Sequence, residues 1–131
     1  MISHNAPYRN KVSFLWINHR VPHMFNLSEK NEFQSWRRYL HQIPELAFQE
    51  TQTAEFIADK LTEFGLQVHQ GLGKTGVVAT LSVGDSHKKI AFRADMDALA
   101  IEEQNNFAHK SRHANAMHAC GHDGHSAMLL A

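Results

Sequence analysis

The chain has 131 residues, with 13 basic and 13 acidic side chains, a formal net charge of +0 and a hydrophobic fraction of 43%. That length allows one domain with a modest core, and no basic surplus or basic block points to nucleic acid or an anionic membrane. A single cysteine, Cys120, excludes an internal disulfide framework and suits a reducing compartment. No run approaches the ~20 apolar residues of a spanning helix, and the start lacks a signal peptide's pattern. The chain therefore reads as soluble and cytoplasmic.

Residues 1–27 mix aromatic and basic residues without a sustained period, and Pro7 and Pro22 interrupt them, so they read as an irregular N-terminal extension. Residues 28–131 read as one further domain. The first helix is predicted within "SEKNEFQSWRRYLHQIPEL", with Ser28 as N-cap and Glu29 in the first turn. Phe33, Trp36, Tyr39 or Leu40, and Ile43 recur at helical spacing and form its buried stripe. Pro44 ends it, because the residue before a proline avoids the helical region.

A second helix is predicted within "QETQTAEFIADKLTEFGLQV", with Ala54, Ile57, Ala58, Leu61 and Phe64 as its apolar face. Gly65 stands where a left-handed residue closes a helix. A short strand is expected around Leu66 to His69. "GLGKTG" reads as a turn, since its glycine spacing does not match that of a phosphate loop. "GVVATLSVG" and "KKIAFRADMDAL" are β-rich runs, and "GDSHK" between them is a plausible hairpin connection. A histidine-rich loop and the start of another helix, "GHSAMLLA", complete the chain. Helices against a sheet make an α/β layer.

Two stretches carry chemistry. In "RADMDAL", Asp95 and Asp97 lie at i, i+2, and on a strand they share a face. Two such carboxylates repel unless a cation, a proton or an arginine intervenes. Arg93 has the same parity, so a structural salt bridge competes with a functional reading, although strand ends commonly hold catalytic groups in α/β folds. Five of the chain's 11 histidines, His109, His113, His118, His122 and His125, fall in its last stretch, three of them within "MHACGHDGH". An extended backbone would project His118, Cys120 and His122 to one side. A helical one would place His122 and His125 on one face. Thiolate and imidazole together suit zinc and other borderline transition metals. Bland readings stand beside these: a small buried thiol for Cys120 and a helix N-terminal charge for Asp123.

Four stretches in order, "RRYLHQIPELAFQETQTAEFI", "GKTGVVATL", "IAFRADMDALAIEE" and "MHACGHDGHSAMLLA", resemble the N-terminal part of the hippurate hydrolase-like amidohydrolases. These belong to the aminoacylase and carboxypeptidase superfamily of metallopeptidases. The resemblance implies helices packed on a mixed sheet, here incomplete. It implies metal-dependent hydrolysis of the C–N amide bond of small-molecule N-acyl amino acids. It implies a divalent cofactor of two ions (zinc, manganese, cobalt or nickel), with Cys120 and His122 as metal ligands. Asp97 would support the metal cluster, Asp95 would belong to the active-site region, and His41 would be structural. The family's general base, further ligands and dimerisation domain would lie downstream. The chain is then expected to be an N-terminal fragment that lacks the general base and is inactive alone, homo-oligomerisation being a property of the full-length enzyme.

Two departures from the family pattern stand out. Ala100 replaces a usual proline, and Ala114–Asn115 replaces a proline–glycine pair, where Asn tolerates left-handed geometry. A non-catalytic metal-binding chain using the C-terminal Cys/His cluster is the alternative function. A cysteine hydrolase using Cys120 is a third, without an acyl-binding signature to accompany it.

Overall fold

The computed structural model describes residues 27–85 and 87–131. Residues 1–26 of the expected extension therefore lie outside the described residues. The element order is α1 (Leu27–Gln42), α2 (Thr51–Glu63), β1 (Gln67–Leu72), β2 (Gly76–Thr80) and α3 (His122–Leu130), an α/β arrangement. No helix among the described residues is long and apolar enough to cross a membrane.

Helix α1 starts one residue earlier than expected, so Ser28 lies inside it rather than capping it. Its stripe resolves at Trp36 and Leu40, which are buried, while Tyr39 is exposed. Trp36 meets Ala127 and Leu130 of α3, and Phe33, Phe56, Ile57, Leu61 and Phe64 pack around them. The Trp36 ring lies 5.2 Å from Phe33 and 5.9 Å from Phe64, centroid to centroid. This cluster joins all three helices through their apolar faces.

Helix α2 is capped from a distance. Its N-cap residue, Glu50, makes no side-chain cap bond. Instead the buried Glu45 carboxylate accepts from the amides of Gln52 and Thr53 and from the Thr51 hydroxyl. These are the orphan donors of a first helical turn, and a negative charge there also opposes the helix dipole. At the other end Gly65, at φ 78°, gives its amide to Thr62 as expected of a closing glycine.

Strands β1 and β2 pair antiparallel, with Val68 opposite Ala79 and Gln70 opposite Val77. The turn in "GLGKTG" closes this hairpin. Gly76 is required there, since a Cβ would come 2.4 Å from the Leu72 carbonyl oxygen. Thr75 follows Lys74 as a phosphate-loop threonine would, yet its hydroxyl is engaged by Glu50 at 2.6 Å.

The second β-run behaves differently from expectation. Residues 81–85 and 87–97 hold no strand, so no hairpin forms across "GDSHK" among the described residues. Ser86, within that connection, lies outside them. Strand propensity is realised only against a partner, and Ile90 and Phe92 are 83% and 78% exposed. Pairing resumes beyond this stretch as two isolated bridges, Leu46 with Ala98 in parallel and Leu99 with Met117 in antiparallel sense. These bridges lead Asp97 past the exit of α1 and beside the start of α3.

Candidate functional site

The loop before α3 folds as turns rather than as an extended strand. Met117 pairs with Leu99 and the chain then bends at Ala119–Cys120. As a result His118 is buried at 4% exposure while Cys120 is exposed, so His118, Cys120 and His122 do not project together. Upstream, Asn115 sits at φ 55°, the left-handed geometry anticipated for that position. Gly121, at φ 78°, is the N-cap of α3, and its left-handed backbone redirects the chain between Cys120 and His122. His122 and His125 share a helical face with ring centroids 5.4 Å apart.

The half-buried His122 ring is held at Nδ1, which lies 2.9 Å from Asp97 Oδ1 and 3.0 Å from the Asp97 carbonyl oxygen. Nδ1 therefore carries the hydrogen and Nε2 is the nitrogen left with a lone pair. Asp95 has a different partner. Arg93 grips its carboxylate with Nη2 at 2.7 Å and Nε at 3.1 Å, at the surface. The salt bridge that competed with a functional reading is thus present. Asp95 and Asp97 do not lie on a strand; each meets α3 separately, Asp97 through His122 and Asp95 through its carbonyl, which accepts from Ser126 at 3.4 Å. An open cavity of about 630 Å³ lies between Phe92, Asp95, His125 and Met128.

Beneath the loop lies a buried charged cluster that sequence reading did not assemble. Asp123, 1% exposed, accepts from His41 Nδ1 at 2.8 Å and from Arg37 Nε at 3.2 Å through the same oxygen. His41 Nε2 meets Glu103 at 3.2 Å, and Glu103 also accepts from Asn105 and the Ser111 amide. Burial alone would raise the Glu103 carboxyl. The hydrogen bonds from Ser111, Asn105 and His41, with the His41 charge, outweigh it and hold Glu103 below its ordinary value. Burial pushes the His118 imidazole below its ordinary value, against the pull of Asp123. Both His118 nitrogens and Asp123 Oδ1 are buried without a hydrogen-bond partner.

As a donor set, an exposed thiol and an imidazole presenting Nε2 suit a borderline divalent metal. The Asp97 bond is the usual companion of a metal-binding imidazole. Two donors do not close a coordination shell, and among the described residues no three His, Cys, Asp or Glu side chains are grouped to hold an ion.

Residues 91–131 match the model of peptidase family M20/M25/M40. Those residues contain Asp95, Asp97, Cys120 and His122. The chain is a relative of the M20 hydrolases. It is 50% identical over 110 residues to the hippurate hydrolase of Campylobacter jejuni, covering 84% of this chain and 28% of that protein. It is 48% identical over 101 residues to an N-acyl-L-amino acid amidohydrolase of Geobacillus stearothermophilus, covering 77% and 27%. Among solved structures it resembles the Bacillus subtilis YXEP protein, described as a dinuclear metal-binding peptidase of the M20 family. That likeness has a TM-score of 0.77 and 39% identity over 80% of this chain and 30% of the other. The chain thus spans under a third of the length of these M20 relatives.

Proposed function

We propose that this chain provides the metal-gripping part of a metal-dependent amidohydrolase that cleaves N-acyl amino acids. One observation carries the reading. His122 is oriented by the Asp97 carboxylate at 2.9 Å, two positions from an exposed thiol, inside the segment that matches the M20 model. The names of the two amidohydrolase relatives support the substrate class, and the dinuclear neighbour supports two divalent ions.

In this reading Cys120 Sγ and His122 Nε2 are metal donors. Asp97 accepts the Nδ1 hydrogen, fixes the tautomer and makes the ring a stronger donor. The bound ions supply Lewis acidity and lower the pKa of a water to the neutral range. Asp95, neutralised by Arg93, borders the open cavity, where the charge of a substrate carboxylate would meet the guanidinium. A cytoplasmic setting keeps Cys120 reduced. No residue of this chain is assigned as the general base, whose loss alone costs about 10²–10⁴ in rate. The chain is therefore inactive by itself.

Native mass spectrometry with zinc, manganese or cobalt tests the donors, and a hippurate hydrolysis assay tests the rest. Metal retention by the parent chain, lost in Cys120→Ala and His122→Ala, is expected, with no hippurate turnover. A parent chain that retains no metal would sink the donor assignment. Turnover abolished by a chelator and by Cys120→Ala would show instead that the chain is catalytically complete.

A further inference from the structure

Asp123 follows His122 directly, and an acidic residue in the first turn of a helix needs no burial to favour the helix dipole. In water that effect is worth about 0.3–1 kcal/mol. Here the carboxylate is 1% exposed and clamped by two basic side chains from α1, His41 through Nδ1 at 2.8 Å and Arg37 through Nε at 3.2 Å. His41 in turn faces Glu103 through its other nitrogen at 3.2 Å. The ring thus bridges two buried carboxylates, with Arg37 at the edge of the cluster. Such buried arrangements add little net stability, because desolvation cancels much of the attraction. What they fix is position, since removing one partner leaves a buried charge uncompensated.

The place that is fixed matters. Cys120 and His122 stand between two buried side chains, His118 on one flank and Asp123 on the other. Gly121 between them is left-handed, and its carbonyl accepts the amides of Gly124 and His125 that start α3. Asp97 orients the His122 ring, but it does not hold the backbone that carries both donors. Asp123 does so by tying the first turn of α3 to α1, across 82 residues of sequence to His41.

We propose that Asp123, clamped by His41, is a positioning residue that sets the mutual placement of the Cys120 and His122 donors toward a divalent transition metal. This rests on the donor reading given above. The test titrates the full chain with cobalt(II) alone, following the thiolate-to-cobalt charge-transfer band and the ligand-field bands. Parent, Asp123→Asn, His41→Gln, Arg37→Gln and Cys120→Ala proteins are compared at a temperature well below each melting point, with the folded fraction read by circular dichroism. Asp123→Asn and His41→Gln are expected to bind cobalt about 10–100-fold more weakly, with altered ligand-field bands. Arg37→Gln, whose side chain is 59% exposed, is expected to lose less.

Folded variants with the parent's affinity and spectrum would overturn the proposal. So would a loss that only tracks the unfolded fraction while the bound spectrum stays unchanged. If both buried variants fail to fold, Arg37→Gln decides: an unchanged affinity and spectrum overturns the proposal, and a weakened, shifted one supports it. A parent chain that takes up no cobalt, and so matches Cys120→Ala, identifies the donor reading itself as the failure and removes this inference with it.

Discussion

Trp36 and Phe92 are both large aromatics, one on a helix and one in a β-rich run, yet one is 6% exposed and the other 78%. Trp36 lies on a helix, whose hydrogen bonds are internal, so α1 needed only a face to bury, and α3 and the side of α2 supplied it. Phe92 lies in a run with strand character, and a strand's hydrogen bonds must come from another segment. An apolar pattern at helical spacing is therefore enough to form a helix, whereas a strand-like pattern stays unrealised without a partner. The face of α3 that carries Ala127 and Leu130 is covered, while Phe92 remains open beside Met128 and Leu129 of the same helix, which are also exposed.

The largest effect is expected on the covered side. Trp36→Ala removes the residue shared by all three helices, and truncations of buried aromatics cost about 3–5 kcal/mol. Chemical denaturation should show that loss, and the variant should unfold near room temperature if the parent is only marginally stable. A loss below about 1 kcal/mol would mean that Trp36 is less central than its packing indicates.

A second prediction sharpens the comparison by attacking a polar contact on the same side. Burial raises the Glu45 carboxyl, but the Thr53 and Gln52 amides and the Thr51 hydroxyl outweigh it and hold Glu45 below its ordinary value of 4.5. A carboxyl whose folded pKa is depressed contributes stability that is full above the unfolded value and fades as pH falls through the folded one. Glu45→Gln should therefore cost about 1–2 kcal/mol at neutral pH and flatten the acid limb of the stability curve below about pH 4.5. Parallel acid limbs in parent and variant would show that the cap does not depend on the charge.

Legibility in the sequence follows the same division. Trp36, Leu40, Ala54, Ala58 and the closing Gly65 were readable because helical periodicity and a left-handed end are local properties. Asn115 was readable for the same reason. A strand around Leu66 to His69 was readable, but its antiparallel pairing with Gly76–Thr80 was not, because Gln67–Leu72, "QVHQGL", has little apolar alternation to advertise it. In the candidate site, "MHACGHDGH" marked Cys120 and His122, and "RADMDAL" marked Asp97, but the bond between Asp97 and His122 spans 25 residues. The Glu103–His41–Asp123 cluster was invisible for a stronger reason. Exposed and buried carboxylates look alike in a sequence, and only the fold brings residues 41, 103 and 123 together.

The smallest expected effect on stability is on the open side, and it is the most direct test of the contrast. Phe92→Ser removes an aromatic ring that little of the molecule touches, so the unfolding free energy should stay within about 0.5 kcal/mol of the parent. Self-association should change more. Exposed apolar patches and unpaired strand-like segments invite edge-to-edge contact, and Ile90 and Phe92 lie exposed on such a segment, Phe92 lining the open cavity with Met128 and Leu129. Light scattering at rising protein concentration should show less association in Phe92→Ser than in the parent, with Ile90→Ser following the same direction. A destabilisation approaching that of Trp36→Ala would mean that Phe92 is covered in solution, and the distinction between the two aromatics would disappear.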